Sequence, residues 1–350
     1  MSPTPARSSN NFQNRRGQPD KLRRFKRTPD ALAYGYTKLS DTDRALLQLV
    51  EACRFVDSRQ LRLYFQRDEK PRAFLRRLQT LYHAGYLERP PQQLARRFEN
   101  GLPSRFMVYA LGEDGYRVLY QRQPPETFTR NNRAAQATYI DHRLGITEAL
   151  LTFTTAAEAF DGYACEYLEG EAITEHFPDL PRHLDFAETV SVKKRDGSTG
   201  EKSAQARHVP LYPDALVKLT DPEGAAQFYF LEIDRGTEPL NAGERSPRPI
   251  ARARTSIRRK LGAYHELAKS GTAKRAGVAP FTVLTITTSA ARVAGMLQLA
   301  RAVAPKREDQ WRFFFTTADT ITLDDPAAAL TAAVWQTPKH AHPLSLLATD

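Results

Sequence analysis

Two short stretches carry the side chains whose types and spacing suit chemistry. Tyr212-Pro213-Asp214 is followed, after one turn, by Phe230-Leu231-Glu232-Ile233-Asp234. Leu216, Val217 and Leu219 continue from Asp214 as an extended apolar run. The Asp221-Pro222-Glu223-Gly224 cluster then turns the chain, and Phe228 to Ile233 returns as a second strand. Because side chains alternate across a strand, Glu232 and Asp234 share one face while Leu231 and Ile233 point to the other. An Asp and a Glu converging from adjacent strands make an oxygen site for a hard divalent ion such as Mg²⁺. The same two carboxylates are also compatible with plain structural hydrogen bonding at strand ends.

The next helix, over residues 250–270, places Ile257, Leu261, Tyr264 and Ala268 at helical spacing, with Lys260 one turn before Tyr264. Lys260 belongs to a crowd with Arg252, Arg254, Arg258 and Arg259, which also reads as a solvated or phosphate-contacting basic face. Upstream, residues 142–160 form a helix with Leu144, Leu150, Leu151, Ala157 and Phe160 inward, and residues 163–168 form a strand. Residues 170–208 are charged and irregular, consistent with an inserted hairpin or loop. A β-branched strand over 281–287, a helix over 292–303 and a strand over 311–315 complete a mixed α/β sandwich over residues 139–335.

The N-terminal third has a different pattern. Ser40 or Asp41 caps a helix bearing Leu46, Leu47, Val50 and Cys53, and Asp57-Ser58 opens a second. Pro71 opens a third with Phe74, Leu75, Leu78, Leu81 and Tyr82 inward and Arg72, Arg76 and Arg77 outward, and Gly85 stops it. Strands over 86–89 and 105–110 make a hairpin, and a helix over 112–121 follows. Three helices plus a β-wing describe a winged helix-turn-helix over 38–122, whose third helix enters a major groove. Its DNA contacts are expected from Arg72, Arg76 and Arg77 and from Arg96, Arg97 and Arg105 around the wing. Residues 123–138, with Pro124-Pro125, read as a linker, and residues 336–350 as a flexible tail.

Charge narrows the partners. The 350-residue chain has a net charge of +11 and a pI near 9.6, which favours polyanions, here double-stranded DNA. Eight basic side chains among the first thirty residues face only Asp20 and Asp30, so more than half of the excess lies in one tail. Residues 1–37 are also rich in Ser, Pro, Asn and Gln and read as a disordered basic arm. Two cysteines, Cys53 and Cys165, with no Cys/His cluster at ligand spacing, argue against structural zinc and fit a reducing cytoplasm. Mean hydropathy of −0.54 and the lack of an apolar leader suggest neither secretion nor membrane insertion. His340-Ala341-His342, the sole His-x-His, lies between prolines without an adjoining strand and does not read as a nicking site. Phosphate-loop and GxSxG signatures are absent from the sequence.

The acidic pair resembles the core of the PD-(D/E)xK nuclease superfamily, where an Asp after a Pro-type turn precedes a strand bearing Glu, a spacer and Lys. Asp214 and Glu232 match the acids, but Asp234 stands where Lys is expected. A carboxylate there adds charge of the wrong sign unless a metal neutralises it. In relatives of that superfamily the basic residue can migrate to the following helix, which makes Lys260 its counterpart. A Glu from the first helix often joins the metal shell, which makes Glu148 a third-ligand candidate. The chain is more closely similar to the replication-relaxation family of plasmids and mobile elements. That likeness rests on Pro213-Asp214-Ala215, on Leu231-Glu232-Ile233-Asp234-Arg235-Gly236-Thr237-Glu238 and on Lys260 with Tyr264, and spans about residues 38–318. In that family Asp at the position of Asp234 is usual. The resemblance implies DNA as partner, a plasmid setting with replication or relaxase proteins nearby, and a nuclease-like domain. That domain either nicks DNA with Mg²⁺ or serves as a degenerate scaffold in a DNA-binding accessory or transcriptional regulator.

Overall fold

The computed structural model describes Arg27 and residues 38–65, 71–95, 106–193, 199–241 and 256–347. The protein mixes helices and sheets, as expected. In its N-terminal part α1 (Asp41–Cys53), α2 (Ser58–Phe65) and α3 (Pro71–His83) pack around a three-stranded antiparallel sheet. That sheet has β3 (Val108–Leu111) between β1 (Val56–Asp57) and β2 (Leu87–Glu88), and α4 (Glu113–Tyr120) follows. Ser40 caps α1 through a capping box with Asp43, each bonding the other's backbone N–H. The α3 helix ends because Gly85 takes φ of +86°, a conformation glycine adopts without penalty. A side chain there would also collide with Asp114, whose carboxylate oxygen lies 2.2 Å from the place of a Cβ. Leu46, Leu47, Leu61, Phe74, Leu78 and Leu111 close this core. Leu75, expected inward, is instead exposed. β1 escaped the sequence because two residues are too short for an alternation pattern.

The larger part is built on a five-stranded sheet. α5 (Phe128–Ala134) and the long α6 (Ala137–Glu158) lead into β4 (Ala164–Leu168) and α7 (Glu171–His176). The expected insertion is a long hairpin, β5 (His183–Lys193) with β6 (Thr199–Pro210). Then come β7 (Ala215–Thr220), β8 (Ala226–Ile233), α8 (Ile257–Lys269), α9 (Thr272–Arg275), β9 (Phe281–Thr287), α10 (Ala290–Val303), β10 (Phe313–Thr317) and α11 (Ala328–Thr331). The order is β10-β9-β8-β7-β4, antiparallel from β4 to β8 and parallel from β8 to β10. Alternation gives the sheet two apolar faces. Leu216, Phe230, Val283 and Phe313 pack under α8 and α10 with Leu261, Tyr264 and Met296. Val217, Leu231, Leu284 and Ile286 pack under α6 with Leu150, Phe153 and Trp335. Along the central strands neither face is left to water, which is why the second half of β8 and all of β9 read as near-continuous apolar runs.

Two expected boundaries change. Residues 123–138 are not a plain linker: they carry α5 and the start of α6, and α6 packs against both parts of the protein. Phe55, Val108 and Ala110 share a core with Ala135, Ile140 and Leu144. Arg143 and Thr147 donate to the backbone carbonyls of Cys53 and Phe55. Pro124-Pro125 suggested a break, but the apolar residues that bridge the two parts lie just beyond it. Residues 336–347 are not a loose tail either. Gln336 bonds Phe315 of β10, Leu344 bonds Trp335, and the N–H groups of Leu346 and Leu347 donate to Leu330. Trp335 is fully buried and stacks on Phe153, with its indole N–H on the Ala329 carbonyl. Cys53 is buried and Cys165 half-buried, both unpaired with another cysteine. Among the described residues, no helix is long and apolar enough to cross a membrane.

Candidate phosphodiester site

The β7–β8 register fixes the acids. Ala215 pairs with Leu231, so Asp214 sits just beyond β7, level with Glu232, the last residue but one of β8. The backbone N–H of Ile233 donates to Asp214 Oδ2 at 2.7 Å, locking the carboxylate against the neighbouring strand. Its other oxygen, Oδ1, lies 2.9 Å from Nε2 of His142 on α6. Glu232 points toward α8: Lys260 Nζ lies 3.1 Å from Oε2 and the Tyr264 hydroxyl donates to Oε1 at 2.6 Å. Lys260 also reaches Glu238 at 3.2 Å. The i,i+4 spacing of Lys260 and Tyr264 therefore delivers both donors to one carboxylate.

Burial sets the electrostatics. Glu232 is 7% exposed. Loss of water pushes its carboxyl above the ordinary range, Lys260 opposes that shift, and the nearby negative charge of Asp214 adds to it. Burial works against the charged Lys260 ammonium, yet Glu232, Glu238 and Asp214 together outweigh it and hold the ammonium protonated far beyond its usual range. Tyr264 is raised well above the ordinary phenol value by burial and by Glu232. The centre thus holds one firmly positive group among three acids. Beside it opens a cleft of about 330 Å³, whose lining includes Asp141, His142, Asp234, Arg235, Glu238 and Lys260.

Asp234 does not belong to this group of partners. Its carboxylate is gripped by Arg292 of α10, with Nη2 to Oδ1 at 2.7 Å and a second bond from Nε to Oδ2. The Thr287 hydroxyl at 2.5 Å and the Gly236 N–H at 3.2 Å add two more donors. A guanidinium therefore neutralises the charge that seemed to require a metal. Gly236, at φ of +74°, lets the chain fold back to make that bond. Arg292 also donates to the Glu238 carbonyl at 2.6 Å, so the Asp-Arg-Gly-Thr-Glu stretch is held by α10 while Glu238 faces Lys260.

Glu148 also departs from expectation. Arg59 donates to both its oxygens at 2.9 and 3.1 Å, Gln60 Nε2 adds a bond at 2.9 Å and the Leu323 N–H another at 3.0 Å. Its carboxylate is committed to joining α2, α6 and the loop after β10, away from the Asp214 partners. His142, two turns earlier on α6, is the residue of that helix that meets Asp214. A lone histidine among helix-start residues gave no sign of this in the sequence. Among the described residues, no group of three or more His, Cys, Asp or Glu is arranged to hold a metal ion.

The basic residues divide similarly. Arg72 and Arg76 are exposed on α3. Arg77 is turned inward onto Asp43, with Nε to Oδ1 at 2.7 Å and a second bond from Nη2. Burial alone would raise the Asp43 carboxyl, but Arg77 and Ser40 outweigh it and hold it below the usual carboxylate range. Arg77 is thus a strut between α1 and α3 and not a free DNA contact. Arg96, Arg97 and Arg105 lie outside the described residues, as does the 1–37 arm apart from Arg27, which bonds Glu88 and the Leu87 carbonyl.

A family model described as Replication-relaxation matches residues 47–282, from within α1 to the start of β9. The chain belongs to the replication-relaxation family. Membership points to a role in the replication or relaxation of plasmids and related mobile elements, and agrees with the resemblance carried by the 231–238 stretch. No curated protein and no solved structure matches the chain.

Proposed function

We propose that this replication-relaxation protein binds double-stranded DNA through its N-terminal part and acts on a phosphodiester at the Asp214–Glu232–Lys260 centre, nicking or cutting the strand with a divalent metal. The observation that carries this reading is the delivery of Lys260 to Glu232 from α8, beside an open cleft. Asp234 is already neutralised by Arg292, so the objection raised by a carboxylate at the motif Lys position no longer applies. Lys260 takes that role, placing a cation where negative charge builds on phosphorus. Asp214 and Glu232, from adjacent strands, are the residues that would hold Mg²⁺, an ion that commonly takes one or two carboxylates and completes its shell with water and phosphate. When bound, such an ion supplies Lewis-acid polarisation of the phosphoryl oxygens. Ile233, through its N–H, and His142 keep Asp214 oriented; Tyr264 does the same for Glu232. The exposed Arg72 and Arg76 lie on α3, the helix that a winged helix-turn-helix lays in the major groove.

Supercoiled plasmid incubated with Mg²⁺ tests this. Wild type should convert it to the nicked or linear form, and Asp214→Asn or Glu232→Gln should not, with DNA affinity retained. Conversion by both variants at the wild-type rate would remove these carboxylates from the reaction. One observation favours a second reading, a non-catalytic DNA-binding scaffold: every oxygen of Asp214 and Glu232 already has a protein partner. In that case wild type binds the plasmid and leaves it supercoiled at every metal concentration.

A further inference from the structure

Tyr212 lies two residues before Asp214 and exposes 61% of its surface, more than any other exposed large apolar side chain among the described residues. It does not stand alone. Its ring meets the edge of His183, with centroids 5.7 Å apart and planes at 79°. His183 in turn lies face to face with His208, at 4.6 Å and 12°. His183 opens β5 and His208 lies near the end of β6, so the base of the long hairpin supplies both rings. That base is anchored. The Leu211 N–H donates to the Arg182 carbonyl at 2.8 Å, and Val209 packs on Ala263 of α8, the helix that carries Lys260 and Tyr264. The three rings are therefore fixed relative to the phosphodiester centre.

An exposed aromatic face backed by further rings gains nothing from solvent, whereas a nucleobase stacks on it whatever its identity. Bases within a duplex are already stacked on their neighbours, so such a surface engages a base only after it has left the helix. Two residues of chain span at most about 7 Å, within reach of two nucleotides at ~3.4 Å per stacked step. We propose that Tyr212, with His183 and His208 behind it, is a stacking platform for an unpaired base of DNA, so that the strand presented to the Asp214–Glu232–Lys260 centre is single-stranded or frayed. The proposal deepens the reading of that centre, but its test uses binding alone, in chelator, so a failure of cleavage and a failure of stacking are separable.

The experiment measures affinity of the full chain, with metal chelated and salt fixed, for three probes. These are a fluorescent single strand carrying 2-aminopurine, the blunt duplex of the same sequence, and the same strand with abasic sites. Tyr212→Ala should weaken the single strand roughly tenfold, in keeping with loss of one base–aromatic stack. It should leave duplex and abasic strand unchanged and reduce 2-aminopurine quenching. His183→Ala should give a smaller loss of the same kind, and Tyr212→Phe should behave as wild type. Undiminished single-strand binding by Tyr212→Ala would overturn the platform. So would equal losses on all three probes, or a loss in Tyr212→Phe matching that in Tyr212→Ala, which would assign the effect to the hydroxyl.

Discussion

Arg292→Ala tests the reassignment of Asp234 from chemistry to architecture. In the folded protein the Asp234 side chain is 4% exposed and that of Arg292 15%. Removing the guanidinium strands a carboxylate in a site with little water, and breaking a buried pair this way costs about 3–5 kcal/mol. The Thr287 hydroxyl and Gly236 N–H remain as donors, which favours the lower end, about 3 kcal/mol. For a domain of this size each kcal/mol moves Tm by about 2–4 °C, so the transition should fall by about 6–12 °C. Far-UV circular dichroism of the full chain reads this directly. Asp234→Asn combined with Arg292→Ala removes the stranded charge and should recover part of the loss, a non-additivity expected of contacting groups. A fall below about 2 °C for the single variant, or no recovery in the double, would refute the structural role given to Asp234.

Arg76 and Arg77, neighbours in sequence, should part company: Arg77→Ala should destabilise by about 1.5 kcal/mol through Asp43, which keeps its Ser40 donors. Arg76→Ala should leave stability unchanged while weakening DNA binding and reducing the log–log salt slope by about one. The raised carboxyl of Glu232 means that the folded state holds a proton more readily than the unfolded one, so this group costs stability as pH rises through its ordinary value of 4.5. Chemical denaturation across that range should therefore show the stability of Glu232→Gln gaining on wild type as pH increases, and a gap that is flat or shrinking would contradict the buried assignment. Deleting residues 336–350 strips the Gln336 and Leu344 bonds from Phe315 and Trp335, and thermal melts should register a drop of about 5 °C or more.

The sequence was most informative where one residue type has one physical use. The strand over Phe281–Thr287 has five β-branched residues in seven and emerged with the expected bounds. The Asp214/Glu232 pairing followed from alternation and a four-residue turn, and Lys260 with Tyr264 from helical spacing. It was least informative where a charge has several available partners. Arg77 resembles Arg76 in type and position, and only the capping box that brings Asp43 beneath it decides which one is buried. Glu148 and His142 share a helix, and the resemblance pointed to Glu148, whereas Arg59 and Gln60, close to ninety residues upstream, claim that glutamate. Polar residues in the segments after Pro124 and after Trp335 resembled linker and tail. Their few apolar positions, Ala135 and Ile140 in one and Leu346 and Leu347 in the other, nonetheless complete cores built elsewhere.

In the proposed reaction Lys260, and not residue 234, supplies the positive charge at the Asp214–Glu232 centre. Single-turnover nicking of supercoiled plasmid in Mg²⁺ by Lys260→Met beside Asp234→Asn tests it most directly. Loss of one transition-state donor typically costs about a hundredfold or more, so Lys260→Met should fall by that much while Asp234→Asn, once shown to be folded, keeps nicking. Undiminished nicking by Lys260→Met, or no metal-dependent nicking by the wild-type protein, would remove Lys260 from that role.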